Sequence, residues 1–420
     1  MQAEDAKTRE VRLGLVLNGG VSLAIWIGGV TTEIDAARLA SKPAPEDIGK
    51  GTVPLYKKIL EALDQEVVVD VIAGASAGGI NGVLLGAAIF NDKPLEDLRE
   101  TWIELGDFRR LLRSPSFPNP PSLMQGDDEV LVKLKEVLGQ AYKGFEHGPA
   151  RDLFVYVTAT DLFGYTADYV DSTGRSFEER DHRRVFRFEH KGQQEDPPPR
   201  ERRNVMRDAI WLGDPDAKEL LARAARSSSS FPVAFEAHGL DIVDHEQGEE
   251  KVHRHWMVDG GILDNQPFNP VLDKIAVLPA SGPVKRVVLY VVPYVTEVGS
   301  TSNDAPEFAT AHDTYAAAGT LPRDLPKLQS LKRIEQEYAE QKVADEARTR
   351  LRDSKALKPE RLASAAKSLF ESYKATRAGA ADAVWELWAS PTFRPGDGTI
   401  AQDPSADARV LAPPPLPRPD

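Results

Sequence analysis

Ser76 lies between glycines in Gly74-Ala75-Ser76-Ala77-Gly78, after Val67-Val68-Val69-Asp70-Val71-Ile72 and before an apolar stretch from Gly79 to Phe90. The first run is short, apolar and β-branched, which predicts a buried strand, and the second predicts a closely packed helix. A sharp turn between them forces the serine into strained backbone angles while Gly74 and Gly78 relieve the crowding. Oγ would then project beside the helix N-terminus, where the dipole favours developing negative charge. Two other segments complement this one. Val11 to Leu17 predicts a second strand, ending in Asn18-Gly19-Gly20, and a glycine pair at such a junction exposes the N–H groups an oxyanion hole requires. Trp256-Met257-Val258-Asp259-Gly260-Gly261 predicts a strand end that carries a carboxylate into two glycines.

In this order the three segments resemble the patatin-like phospholipase family, and the resemblance extends over most of residues 11–295. Val157 to Leu162 is similar to the family's internal strand, and Ala224-Ala225-Arg226-Ser227-Ser228-Ser229-Ser230-Phe231-Pro232 to the small-residue segment before its aspartate strand. Asn265-Gln266-Pro267 stands where the family often carries Asn-x-Pro. The resemblance implies an α/β fold, a three-layer α/β/α sandwich, with Ser76 as nucleophile and Asp259 as general base. One block departs from the pattern. The family's Gly-Gly-Gly-x-Arg/Lys-Gly becomes Gly19-Gly20-Val21-Ser22-Leu23-Ala24, which loses the third glycine, the cation and the last glycine. Asn-Gly-Gly-Val-Ser-Leu-Ala resembles the form found in a bacterial patatin-related branch, and Val21 still offers a backbone N–H.

A serine hydroxyl needs a base within hydrogen-bond reach, and an aspartate serves as one when a desolvated pocket raises its basicity. Asp259 would take the Ser76 proton as Oγ attacks an ester carbonyl, and the amides of Gly19, Gly20 and Val21 would hold the oxyanion. One such donor contributes about 3 kcal/mol in hydrolases. The expected reaction is hydrolysis of a carboxylic ester of a glycerophospholipid through an acyl-enzyme, without metal or organic cofactor. The alternative is a catalytically silent or activator-dependent binding protein on the same fold, favoured only by the altered loop. A Ser-His-Asp triad fits less well. Residues 1–73 leave room for about two strands before the elbow, and the only histidine after Asp259 is His312, in a polar stretch.

His253, His255, Met257 and Asp259 alternate, and the expected reading is a strand with polar residues on its outer face rather than a metal site. The chain has no cysteine, so thiolate chemistry is excluded. A formal charge of −13 over 420 residues argues against nucleic-acid binding and offers no general attraction to anionic lipid. Met1 to Arg12 lacks the apolar core of a signal peptide, and no run approaches membrane-spanning length. A cytoplasmic enzyme making peripheral contact with its membrane phospholipid substrate is expected, with a regulatory partner or homo-oligomer compatible with the sequence.

The domain reading is a flexible 1–10, a catalytic domain over 11–300 with a mixed-charge insertion at about 180–203, a helical region over 321–390 and a disordered tail over 391–420. Within the insertion Arg183 to Phe188 alternates, as in a solvated hairpin. Val21 to Val30 predicts a buried core helix, Leu55 to Leu63, Pro94 to Leu105 and Asp127 to Tyr142 predict helices, and Val284 to Tyr294 a strand. Leu325, Leu328, Leu331 and Ile334 repeat at helical spacing, and the last 30 residues hold 8 of the 31 prolines.

Overall fold

The β-branched runs become neighbouring strands of one sheet. The computed structural model describes residues 9–20, 24–42, 51–95, 98–114, 119–143, 151–170, 175–192, 204–246, 249–279 and 284–293, with scattered positions between 332 and 367. β1 (Arg9–Leu17) leads through α1 (Ala24–Ala40) and α2 (Val53–Leu63) to β2 (Gln65–Gly74). Next come α3 (Ala77–Phe90), α4 (Leu98–Leu105), α5 (Phe108–Leu111), a π-helical turn at Gly126–Leu131 and α6 (Val132–Ala141). They precede β3 (Leu153–Val170), β4 (Ser176–His190), β5 (Ile210–Trp211) and α7 (Ala217–Ser228). β6 (His238–Glu246), β7 (Glu249–Asp259), a 3-10 turn at Gly260–Ile262, α8 (Phe268–Val277) and β8 (Val284–Val291) complete the described elements.

The strand order is β5-β4-β3-β2-β1-β8, with β7 pairing both β3 and β6. β1 runs parallel to β2 and β8, and β2 runs parallel to β3. Parallel neighbours need a crossover, and α1 with α2 supplies the first. Side-chain alternation separates the two faces of the sheet. A Cβ on Gly14 would meet Val271 and Ile275 of α8, and the Lys274 ammonium lies 3.8 Å from the centroid of Phe154. On the opposite face Val155 and Val157 join the core cluster formed with α3, α6 and α7. The result is the α/β three-layer arrangement, and its parallel strands open their carboxyl ends on one side, where such sheets place ligands.

α3 is buried along its whole length, because its small residues let it lie against the sheet: a Cβ on Gly86 would come within 2.6 Å of Val155. Other expectations changed on folding. The alternating run Arg183 to Phe188 is an interior strand and not a solvated hairpin, since Phe186 and Phe188 of β4 are buried in the core. Residues 193–203 of that expected insertion lie outside the described residues. Of the core helix expected over Val21 to Val30, residues 21–23 lie outside the described residues, and α1 presents Ile25 and Trp26 nearly half exposed, so that face is not core. The region 321–390 lies almost entirely outside the described residues, apart from isolated helical positions, as do His312, residues 1–8 and the tail 391–420.

Contacts divide the chain into two units. The first comprises residues 1–165, 181–244 and 251–331 and carries the sheet core with Ser76 and Asp259. The second comprises residues 166–180, 245–250 and 332–420, and within it Tyr169 stacks on Phe177 with centroids 5.8 Å apart.

Candidate active site

β3 measures out the site. Its parallel register with β2 ends at Gly74 opposite Val157, and two residues further on Ala159 stands opposite Asp259 of the antiparallel β7. Ser76, two residues beyond Gly74, therefore reaches the level at which β7 delivers its last residue. The Ser76 hydroxyl donates to Asp259 Oδ2 at 2.7 Å, and both side chains are almost completely buried.

Ser76 has φ 51° and ψ −123°, outside the regions a serine prefers. Its strained geometry is held from three directions. The Ser76 amide donates to Ser228 Oγ at 2.7 Å, the Ala75 amide to the Leu17 carbonyl at 3.2 Å, and the Ser76 carbonyl accepts the Ile80 amide of α3 at 3.0 Å. Gly78 lets α3 begin directly against β1: a Cβ there would lie 2.2 Å from the Leu17 carbonyl oxygen and 2.6 Å from that of Asn18. Gly74 is closed in the same way by the Gly78 carbonyl.

Asp259 is fixed as firmly. Its amide donates to the Ser230 carbonyl at 3.0 Å, and its carbonyl accepts Thr160 Oγ1 at 3.0 Å. The Gly261 amide donates to Oδ1 at 2.7 Å, which leaves Oδ2 directed at Ser76. The two carboxylate oxygens thus have separate partners, and the free rotation that would blur the geometry of a base is removed. Gly260 and Gly261 are both closely approached, by Thr158 and by Asn265 with Asp259.

Gly19 and Gly20 follow β1 and border the serine. A Cβ on Gly19 would stand 3.0 Å from Ser76 Cβ and 2.3 Å from Asn265 Oδ1. The Gly19 amide is turned toward the Asn265 carbonyl at 3.4 Å, a long bond, so the glycine loop is tied to the aspartate loop. Val21 lies outside the described residues. Sequence reading did not assign a role to Ser228. The run Ser227 to Ser230 was the available signal, but only the fold brings the C-terminus of α7 beneath the elbow.

His255 occupies a place the alternation did not indicate. It is buried rather than on an outer face, with Nδ1 2.6 Å from Asp161 Oδ2 and Nε2 2.6 Å from Asp244 Oδ2. Arg184 adds a bond to Asp244 at 2.7 Å and lies 3.4 Å from the centroid of Tyr165. Burial alone would favour neutral imidazole. The hydrogen bonds to Asp161 and Asp244, with their charges, outweigh it and push His255 up to about 9. Asp244 moves down to about 2, because bonds from His255 and Arg184 exceed the cost of its burial. Among the described residues no group of three or more His, Asp and Glu side chains is arranged to hold a metal ion. In the loop after Gly261, burial raises the Asp264 carboxyl to about 6 against the opposing influence of Arg183.

The strained serine, the glycine-bordered aspartate and the glycine loop occur together in a match to the patatin-like phospholipase family model over residues 15–272. The chain belongs to the patatin-like phospholipase family. That family is one of lipid hydrolases. A Mycobacterium tuberculosis protein named "Uncharacterized membrane protein Rv3479" is 33% identical over 319 residues, covering 69% of this chain. That match amounts to 28% of the relative's length, so the chain corresponds to a minor part of a longer protein. Among the described residues of the present chain no helix is long and apolar enough to cross a membrane.

Proposed function

We propose that the chain is a lipid acyl hydrolase that cleaves carboxylic esters of glycerophospholipids through Ser76 and Asp259. The observation that carries this reading is the 2.7 Å hydrogen bond between two buried side chains, one on a strained turn and the other with its second oxygen occupied. As Ser76 Oγ attacks the acyl carbonyl, its proton passes to Asp259 Oδ2. The tetrahedral intermediate collapses, the C–O bond to the lysolipid breaks, and Asp259 returns the proton to the departing alkoxide. Water then gives a proton to Asp259 and attacks the acyl-enzyme, which frees the fatty acid and restores Ser76. The Gly20 and Val21 amides are the oxyanion donors this reading retains, since the Gly19 amide already faces Asn265. Neither a metal ion nor an organic cofactor enters these steps. The substrate is a membrane phospholipid, reached by peripheral contact from the aqueous side.

The test is fatty-acid release from mixed phospholipid vesicles and from a soluble short-chain ester by the wild type, Ser76→Ala and Asp259→Asn. The expected result is release by the wild type that falls about a thousandfold or more in each folded variant. Full retention in Asp259→Asn would place the base elsewhere. Absence of wild-type release from both substrates would favour the catalytically silent alternative, for which the lost cation of the glycine loop is the supporting feature.

A further inference from the structure

Five large apolar side chains stand exposed on a small structure built outside the main sheet. Backbone bonds join its three segments: the Arg113 amide donates to the Leu123 carbonyl at 3.0 Å, the Gln125 amide to Leu111 at 2.8 Å, and the amides of Leu123 and Met124 to Val233 and Ala234 at 2.9 and 2.8 Å. Leu112 is 51%, Leu123 59% and Val233 74% exposed, and Phe108 and Phe231 accompany them. Chains this far exposed project from the surface. Water gains nothing from such an arrangement, and contiguous exposed apolar area marks a contact surface.

The platform beneath is rigid. Glu236 accepts from Arg113 at 2.9 Å, from the Ser122 hydroxyl at 2.7 Å, and from the amides of Gly126 and Asp127 at 2.9 and 2.7 Å. Arg226, fully buried, donates to Ser230 Oγ at 2.5 Å and to the Glu236 carbonyl at 3.0 Å. Val233 is held at φ 70°, a left-handed conformation that a β-branched residue strongly disfavours. A glycine or asparagine would occupy this exposed position without strain, yet the position carries an apolar side chain.

Two observations indicate what meets this surface. First, the segment is continuous with the dyad: Phe231 follows Ser230, whose carbonyl holds the Asp259 amide. Second, it presents a free cation. Of the three arginines between Asp107 and Asp127, Arg110 pairs with Glu129 and Arg113 with Glu236, each at 2.9 Å. Arg109 is exposed and has no side-chain partner among the described residues. Projecting apolar chains beside an unpaired arginine suit the boundary between headgroups and acyl chains of an anionic bilayer.

We infer that Phe108, Leu112, Leu123, Phe231 and Val233, with Arg109, form the surface by which this protein docks on an anionic phospholipid bilayer. The inference rests on the reading of Ser76 and Asp259 as a lipid hydrolase, and it adds the face that meets the substrate. The experiment uses the full chain carrying Ser76→Ala, so that no lipid is consumed, floated with vesicles of phosphatidylcholine alone or mixed with phosphatidylglycerol. The expected result is that adding Leu123→Ser and Val233→Asn weakens partitioning about tenfold or more. Arg109→Glu should weaken binding to the phosphatidylglycerol vesicles about fivefold and leave binding to pure phosphatidylcholine almost unchanged. Val233→Asn relieves backbone strain, so the thermal midpoint should hold or rise, which separates lost docking from lost folding. With Ser76 restored, the Leu123/Val233 variant should hydrolyse a soluble short-chain ester at the wild-type rate within about twofold.

Unchanged vesicle binding in that variant would overturn the inference. So would a wild-type dimer in sedimentation that the same substitutions dissociate, since the surface would then belong to a second copy of the chain. Vesicle binding that is lost as expected, in a protein with no esterase activity on any substrate, would refute the hydrolase reading and leave the docking surface standing.

Discussion

Replacing His255 by glutamine should remove a pH dependence of stability that the wild type carries between neutral and mildly alkaline pH. The imidazole is held at about 9 in the fold against 6.5 for the free side chain. Its folded value is raised, so its contribution is fully present below pH 6.5 and is lost as the pH climbs through about 9. The difference corresponds to about 3 kcal/mol, with unfolding free energy falling by about 1.4 kcal/mol per pH unit inside that window. The source is the pair of 2.6 Å bonds to Asp161 and Asp244, which without the imidazolium would face each other with only Arg184 between them. Urea unfolding from pH 6 to 10 measures it directly. The wild-type midpoint should decline across the window, while His255→Gln starts lower by about 3 kcal/mol and shows a flatter profile that approaches the wild type above pH 9. Equal slopes in the two proteins would refute the assignment of the proton to His255.

The glycine contacts give a matched pair of tests. Gly78→Ala would drive a Cβ to 2.2 Å from the Leu17 carbonyl, which should cost about 3 kcal/mol in thermal unfolding and displace Ser76 enough to abolish ester hydrolysis. Gly29→Ala, exposed within α1 with nothing inside 4 Å, should instead stabilise by about 0.5–1 kcal/mol and leave hydrolysis unaltered. Arg226→Met leaves Asp127 and Glu236 without their buried cation, which lies 3.1 and 3.3 Å away, and should cost about 3–5 kcal/mol by chemical denaturation. Burial alone would raise the Glu236 carboxyl, but hydrogen bonds from the Asp127 amide, the Ser122 hydroxyl and its own backbone, with the charge of Arg226, hold it down at about 2. Its contribution is present above the ordinary carboxylate range and should disappear as the pH falls toward 2, visible as acid unfolding that begins around Met124 and Phe235.

The sequence by itself determined the local geometry of the site. Gly74 to Gly78 between a β-branched run and a small-residue helix specifies a serine on a tight turn, and Asp259 before two glycines specifies a carboxylate at a strand end. Such features depend on backbone sterics within a few residues, which composition encodes directly. The meaning of Arg183 to Phe188 was not encoded that way, since an alternating charged strand looks alike at an edge and inside a sheet until its neighbours exist. His255 shows the same limit. Its period-two placement was legible, but burial between Asp161 and Asp244 needed strands β3 and β6 to arrive on either side of β7. Ser228, Asn265 and Glu236 likewise acquire their roles from residues 152, 246 and more than a hundred positions distant. The sequence therefore determined which groups could do chemistry, because those are local properties. Only the tertiary structure decided their 2.7 Å meeting and the partners that hold them, because register between distant strands is set by the packing of the whole sheet.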